Sequence, residues 1–500
     1  MRQVSLRSLA VILISLISLP LFAANDRWYN SETGQVTERA LGLYAAIVLA
    51  DQHGLESDDL KVRLQQTQTV NDVDKAHNEV LDSLIRRFSV GQVPTSIDPL
   101  WHYPEKLLDL DAVRRSVLAA PALLPALESL LPQHPDYLGL VQAYADKRAL
   151  IGSEPPQLTF SAYFKPGDMH ADIELVRERL DWLGYEASDE VSDLAPRLYD
   201  EQLAAQVRLF QADHGLETDA VIGPDTLGWL NYSATDRIEL LAAVLERWRW
   251  LPRDFGERYL LVSIPGFEVR YFNQGKLAER HISISGRPAR PTRSFQARVE
   301  QLVVNPNWTV PRRILMRDLV PKILANPQYL ATQGMQAERL IAGRWQPVSN
   351  DSVEWSMLDW GDTDVRLVQA PGSSNALGQI KFHMPNSHAI YLHDTPSKEL
   401  FADASRAFSS GCIRVEGVID LARTLMSGNT EKFEASLLQP ETRWLRLPQS
   451  VPVFLVYNRA WLDAEGRLQL RDDIYKADRD LIALMENSES KLKNTQLVLR

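Results

Sequence analysis

One cysteine, Cys412, occurs in 500 residues. A single thiol allows no intramolecular disulfide, so this one is not kept for stapling. Positive charge is also in short supply: 54 lysines and arginines stand against 65 aspartates and glutamates, a net charge of −11. That balance argues against a nucleic-acid partner, which favours a basic face. Beyond the first two dozen residues no apolar run approaches the ~20 residues of a membrane-spanning helix. Metalloprotease His-Glu-x-x-His, Walker and dinucleotide fingerprints are missing. Of the serine-acylase set Ser-x-x-Lys, Ser-Asp-Asn and Lys-Thr-Gly, only Ser488-Glu489-Ser490-Lys491 occurs, alone in a polar tail. Internal repeats and low-complexity tracts are absent.

What is present reads as a folded chain of several domains. Hydrophobic content of 45% and charged content of 24% are ordinary, and the length suits two to four domains of about 100–200 residues. Met1–Ala24 has the layout of a signal peptide: Arg2 and Arg7, an apolar run from Leu9 to Phe22, then Ala23-Ala24. Export to a periplasm is the expectation. The large Leu21 or Phe22 three residues before a cut leaves an uncleaved anchor as the alternative. Residues 25–165 show apolar residues at helical spacing, separated by prolines, and predict a helical scaffold without chemistry. A small module follows over 166–232. Its phrases Leu183-Gly184-Tyr185, Phe210-Gln211-Ala212-Asp213-His214-Gly215-Leu216 and Asp219-Ala220-Val221-Ile222-Gly223-Pro224-Asp225-Thr226 resemble the three-helix peptidoglycan-binding module of cell-wall enzymes. Residues 233–256 predict a connecting helix. From 257 to 460 the pattern changes to strands, with antiparallel hairpins around Asn273-Gln274-Gly275-Lys276. An interruption at about 328–372, carrying Trp345, Trp355 and Trp360, reads as an insertion able to fold over a cleft. Residues 461–500 close the chain as a helix and tail. The fold class is multidomain α+β.

Chemistry concentrates around the thiol. An unactivated cysteine, with a pKa of about 8.5, needs a base or a positive environment to act as a nucleophile. His393 closes the strand-like run Ile390-Tyr391-Leu392-His393, where its ring can be held rigidly. Ser409-Ser410-Gly411 before Cys412 is a turn sequence that brings backbone N–H groups near the sulfur, the donors an oxyanion hole requires. Residues 415–423 read as a helix whose N-terminal end would favour thiolate. The plainer alternatives are a cysteine that only packs, a structural histidine, and an Arg414 that only pairs with an acid such as Glu416.

Ile390-Tyr391-Leu392-His393-Asp394-Thr395-Pro396 followed by Phe408-Ser409-Ser410-Gly411-Cys412-Ile413-Arg414-Val415 resembles the active-site signature of the L,D-transpeptidases, of YkuD type. Asn375-Ala376-Leu377-Gly378-Gln379-Ile380-Lys381-Phe382 and Val304-Asn305-Pro306-Asn307-Trp308-Thr309-Val310-Pro311 resemble the same domain. With the scaffold and the module, the likeness extends to the large periplasmic members of Gram-negative bacteria. The common form has histidine before Gly-Cys and asparagine two after the cysteine; here Ser410 and Arg414 stand there. Sortases place a Thr-Leu-x-Thr-Cys strand where this chain has Ser-Ser-Gly-Cys, and papain-like enzymes reverse the order of cysteine and histidine.

The resemblance implies a mainly-β catalytic domain with an inserted lid and no cofactor or metal. Cys412 would be the nucleophile and His393 its base, with the Asp394 main-chain carbonyl orienting the ring. Backbone N–H groups of Gly411 and Cys412 would hold the oxyanion. Tyr391, Arg414, Ser410, Trp308 and Asn375 would line the substrate site, and Arg414 could grip a carboxylate by two parallel bonds. The implied partners are peptidoglycan stem peptides and glycan, with carbapenem-type β-lactams as inhibitors. Alternatives on the same fold are an L,D-carboxypeptidase and a lipoprotein-to-peptidoglycan transferase or hydrolase; outside catalysis, an envelope-binding scaffold.

Overall fold

A computed structural model of the chain describes residues 28–29, 35–67, 69–160, 163–185 and 196–485. The segment Met1–Ala24, read as an export signal, lies outside them. The first helices are α1 (Glu38–Gln52), α2 (Asp58–Gln65), α3 (Val70–Val90), α4 (Leu110–Ala119), α5 (Leu123–Glu128) and α6 (Pro135–Arg148). Local chemistry starts them: Thr69 and Asp72 form a reciprocal capping box at α3, and Pro135 opens α6. Their inner faces bury Leu43, Ile47, Leu81, Leu84, Phe88 and Leu140 in one core.

The module contributes α7 (Asp172–Leu183), α8 (Glu201–Asp213) and α9 (Pro224–Leu230). Gly184 ends α7 in a left-handed conformation. Ile173, Val176, Leu180, Val207 and Phe210 close its interior, which is continuous with the scaffold core.

Helix α10 (Ala234–Trp250), opened by a Ser233/Asp236 capping box, runs through the middle. Although charged, it buries Arg237, Glu246, Arg247 and Arg249 almost completely. Each charge has a partner from elsewhere. Glu246 accepts the backbone N–H groups of Gln92 and Val93 at 2.7 and 2.8 Å and the Arg249 guanidinium at 2.7 Å. Arg247 donates to Asp98 at 3.1 Å and to Asp478, which also takes Arg459 at 2.8 Å. Arg237 reaches Trp229 O and His214 of the module. The helix predicted to couple the parts is thus an ionic hub for all three.

The β domain comprises β1 (Arg258–Ser263), β2 (Glu268–Asn273), β3 (Lys276–Gly286), β4 (Phe295–Val304), β5 (Trp308–Thr309), β6 (Met335–Ile341), β7 (Arg344–Pro347), β8 (Val365–Gln369), β9 (Ile380–His383), β10 (Leu392–His393), β11 (Ala407–Ser409), β12 (Ile413–Val415) and β13 (Arg443–Val456). The turn between β2 and β3 places Gln274 and Gly275 at positive φ, the requirement of a tight hairpin. The main sheet runs β11-β3-β12-β10-β9-β4-β13-β1-β2, and β2 also pairs with β3, so the pairings close on themselves. Three contacts are parallel: β1 with β13, β10 with β12, and β3 with β11. Inside sit Val262, Val299, Phe382, Leu392, Ile413 and Leu455, covered by the apolar face of a helix at Val418–Leu425.

Between β4 and β9 the chain forms a second unit. Strands β5, β8, β6 and β7 make a sheet of their own in that order. Its separate core holds Leu330, Met335, Ala337, Trp355, Val365 and Leu367, together with Val310, Leu315, Leu319 and Ile323 from before residue 328. The expected insertion at about 328–372 falls within this unit. The scaffold also touches the β domain: His102 N donates to Ser294 O at 2.7 Å, and Ser294 N to Leu100 O at 2.8 Å.

After β13 come a short hairpin, Ala460–Leu462 with Leu468–Leu470, and a helix at 478–485. No helix among the described residues is long and apolar enough to cross a membrane.

Candidate active site

Strand register assembles the site. On β10, Leu392 pairs with Phe382 of β9 and Ile413 of β12, while His393 pairs with Lys381 and Arg414. Side chains alternate along a strand, so neighbours in register share a face. Phe382, Leu392 and Ile413 enter the core, which sends Lys381, His393 and Arg414 to the opposite face. Tyr391 and Cys412, each two residues earlier, join them there.

Cys412 is half-buried at the end of a tightly bonded turn. Gly411 has φ +118°, a conformation that disfavours a side chain. Ser409 Oγ donates to Cys412 O at 2.6 Å and accepts the Gly411 N–H at 3.0 Å. Thr292 Oγ1 donates to Gly411 O at 2.8 Å, and Thr292 N in turn donates to the Tyr475 hydroxyl at 3.2 Å. Tyr475 donates to Gly286 O at 2.5 Å. At Gly286 a Cβ would lie 2.3 Å from Arg290 O, so the loop can close only over glycine. Arg287 binds the carbonyls of Phe408 and Ser409. Arg290 donates to Ser410 Oγ at 2.9 Å and forms a bidentate ion pair with Asp318 of the inserted unit.

His393 is 5% exposed, and its Nδ1 meets Asp394 O at 2.5 Å. That contact requires the proton on Nδ1 and leaves the Nε2 lone pair as the acceptor. Burial, reinforced by the Arg414 charge, lowers the ring's pKa to about 3. The imidazole is therefore neutral at working pH. Burial pushes the Cys412 thiol up, opposed by hydrogen bonds from Tyr391 and by the charges of Lys381 and Arg414. Tyr391 itself is raised, first by burial and then by the neighbouring thiolate charge. Each acts on the other, Tyr391 lowering the thiol and the thiolate raising the phenol, while Cys412 Sγ lies 3.7 Å from Ala389 O. The Tyr391 oxygen also neighbours the indole of half-buried Trp308, so β5 carries the inserted unit to the edge of the site.

Arg414 has no ion pair among the described residues, and its Nε is buried without a partner. It is not the companion of Glu416. Burial and the nearby Arg287 lower its pKa. A half-buried cation beside the sulfur, its fork unengaged, suits an incoming carboxylate.

Three expectations are corrected. Gly411 N–H is taken by Ser409 Oγ, so it is not available to an oxyanion. Asn375 is fully buried and committed to backbone: Nδ2 donates to Pro306 O at 3.0 Å and Ala370 O at 2.8 Å, and Oδ1 accepts Leu377 N at 2.8 Å. It ties the 305–306 turn to the loop before β9 and does not line the site. Finally, the helix expected over 415–423 starts later than its first residues suggested. Ile413–Val415 is a strand, and the helix starts at Val418 after Gly417, too far for an effect confined to the first turn.

Comparison with known proteins now bears on this geometry. Residues 257–434 match the L,D-transpeptidase catalytic domain (YkuD), residues 25–143 a scaffold domain, and residues 169–230 a domain described as "Putative peptidoglycan binding domain". The chain carries an L,D-transpeptidase catalytic domain. A curated "Putative L,D-transpeptidase" of Haemophilus influenzae is 36% identical over 244 residues, 48% of this chain and 48% of that protein. The chain thus spans about half the length of this curated relative. Among solved structures, an L,D-transpeptidase from Xylanimonas cellulosilytica is 14% identical, covering 61% of this chain and 100% of that one, with a TM-score of 0.20. One from Mycobacterium smegmatis is 10% identical over 40% of this chain and 58% of that one, also at 0.20.

Within the L,D-transpeptidase domain, one group escaped the residue-by-residue reading. Lys381 faces the same surface as His393, with its Nζ 4.1 Å from the centroid of the Tyr391 ring. The signal was available in the alternation Ile380-Lys381-Phe382: a strand with its neighbours in a core must turn the lysine toward the other face.

Proposed function

We propose that this protein is a peptidoglycan L,D-transpeptidase. The observation carrying the proposal is the neutral His393, its Nδ1 bound to Asp394 O, on the same strand face as the Cys412 thiol and the unpaired Arg414. The thiol proton passes to His393 Nε2 as sulfur attacks the carbonyl of the third, diamino-acid residue of a tetrapeptide stem. The Cys412 backbone N–H is the donor for the developing oxyanion, since Gly411 N–H is engaged. Collapse breaks the peptide bond, and the proton on His393 goes to the departing amine of D-alanine. The side-chain amine of a second stem then attacks the thioester, loses a proton to His393 and restores the thiol, leaving a link between two third residues. Arg414 receives a stem carboxylate, and Tyr391 and Trp308 border the peptide. Carbapenem-type β-lactams acylate the same thiol. The substrate lies outside the cytoplasm, which fits export by Met1–Ala24 into the periplasm. The module over 166–232 serves the same substrate.

The test is incubation of the chain from Asn25 onward with disaccharide-tetrapeptide, beside Cys412→Ala. The expected product is a cross-linked dimer lacking one D-alanine, absent with the variant. Tripeptide without dimer would make water the acceptor and the protein a carboxypeptidase. No product from either protein would overturn the enzymatic reading.

A further inference from the structure

The sheet face that carries the thiol extends well beyond it. Register continues the row of site residues outward. Arg414 pairs with His393, His393 with Lys381, Lys381 with Val303 of β4, and Val303 with Trp444 of β13. Their neighbours along each strand, Ile413, Leu392, Phe382, Leu302 and Leu445, lie in the core. By alternation the whole row turns the other way. Trp444 therefore belongs to the same surface as Cys412, at its far side. It is 55% exposed, and its ring meets that of His383 in a T-shaped contact at 5.1 Å. His383 stands two residues after Lys381 in β9 and so shares this face.

Distances across the sheet match those along a stem peptide. Strands lie about 4.8 Å apart, so β9 stands two steps, about 10 Å, from Cys412 after β10, and β13 four steps, about 19 Å. The indole reaches from β13 to His383 of β9 and covers the interval between. In an extended peptide each residue spans about 3.3 Å; from the third-residue carbonyl back to the sugar run three residues and a lactyl link, about 13 Å on that scale. The direction also follows. With the terminal D-alanine carboxylate on Arg414 of β12, the rest of the stem crosses β10 and β9 toward Trp444.

We propose that Trp444 is the sugar platform of the donor substrate: the pyranose at the head of the stem rests on its indole, with His383 bracing the ring. The C–H groups on one face of a pyranose carry partial positive charge and suit the negative face of an aromatic ring. Tryptophan is also among the side chains most enriched where a few residues dominate binding. The site then reads the glycan end of the donor as well as its peptide. This deepens the reading of the protein as a peptidoglycan L,D-transpeptidase and rests on it for the orientation of the stem.

The test is isothermal titration calorimetry of the full chain carrying Cys412→Ala, which binds donor without turning it over. Disaccharide-tetrapeptide and free tetrapeptide are titrated into this protein and into the same protein with Trp444→Ala or Trp444→Tyr added. The disaccharide form is expected to bind about tenfold more tightly while Trp444 is present. That preference should shrink to near unity in Trp444→Ala and be largely kept in Trp444→Tyr. With Cys412 intact, the ratio of kcat/KM for the two donors should fall by the same factor in Trp444→Ala. Near-UV circular dichroism checks the fold, and the tyrosine variant guards against an alanine variant that misfolds. No preference in the parent, a preference that survives Trp444→Ala, or an equal loss for both ligands would overturn the inference; equal loss is what a structural tryptophan, or one that meets only peptide, would give. If the preference depends on Trp444 while the protein with Cys412 intact forms neither dimer nor tripeptide, the platform stands and the proposed reaction does not.

Discussion

Replacing Asp478 by alanine removes one carboxylate from a buried group of four charges. Arg247 is fully buried, Asp478 is 2% exposed and Arg459 is 6% exposed. Asp478 accepts Arg247 Nη1 through one oxygen and Arg459 Nη1 through the other at 2.8 Å. Arg247 keeps Asp98 at 3.1 Å and Ala477 O at 3.1 Å, whereas Arg459 keeps the Arg471 carbonyl, at 2.8 Å from Nε, and the nearby groups of Tyr232, Asp472 and Asp473 without an ion pair. Arg459 would then lose its one ion pair among the described residues, out of reach of solvent. Breaking such a pair costs about 3–5 kcal/mol, a large share of the roughly 5–15 kcal/mol that stabilises ordinary domains. Asp478→Asn, which keeps acceptor geometry without charge, is expected between parent and alanine. The assay is urea unfolding followed by tryptophan fluorescence, since Trp248 and Trp250 lie on the same helix and are each 2% exposed. The pH behaviour provides a second check. Burial works to raise the Asp478 carboxyl, but Arg247 and Arg459 prevail and hold it below the ordinary 3.8. Its contribution is therefore complete above that value and is lost as pH falls through the depressed folded pKa. The alanine deficit should be the same at pH 7 and pH 5. A loss under about 1 kcal/mol would refute the reasoning, because it would mean that water or movement relieves the stranded charge.

Two other outcomes follow from neighbouring chemistry. Tyr475→Phe leaves Gly286 O and Thr292 N without their shared partner; it is expected to cost about 1–3 kcal/mol and, by loosening the loop whose Thr292 Oγ1 holds Gly411 O, to slow acylation of Cys412 by a β-lactam more than it slows alkylation. Comparing the two rates on the variant checks this. Burial holds His53 and His77 down to about 4 and His393 to about 3, and keeps His214 well below the usual range. Each then binds a proton in the unfolded chain before it does so in the folded one, so stability is complete above about pH 6.5 and declines as pH falls toward 4. At pH 5 His53, His77 and His393 each contribute a loss of about 2 kcal/mol and His214 acts in the same direction, so denaturant titrations at pH 7.5, 6 and 5 should show midpoints falling steeply; a flat series would mean that these rings are charged in the folded protein.

That Cys412 and His393 lie on neighbouring strands follows from sequence that is local at both ends. His393 ends an apolar, β-branched run that must be a strand, and Cys412 follows a serine-glycine turn. Parallel register between β10 and β12 does the rest. The hub was not legible in the same way. Helix α10 carries arginines and glutamate that suggest an exposed face, and their partners Asp98 and Asp478 lie 149 and 231 residues from Arg247. Only tertiary structure brings such groups together. Gly411 and Asn375 were misread for a related reason: each lies in a motif near the site, but the bonds that occupy their polar atoms come from Ser409 and from backbone carbonyls that no pattern announces. The helix expected to begin just after the thiol yielded to Ile413 and Val415, β-branched residues that complete the sheet between β3 and β10 before Gly417 lets the chain turn.

The central claim is that Cys412 becomes covalently acylated by a stem peptide. It is tested most directly by rapid acid quenching of the full chain with disaccharide-tetrapeptide, followed by intact mass and peptide mapping. The account predicts an adduct equal to the donor less D-alanine, localised to the peptide carrying Cys412 and absent from Cys412→Ala. Cross-linked dimer formed without such an adduct, or an adduct that persists in Cys412→Ala, would contradict it.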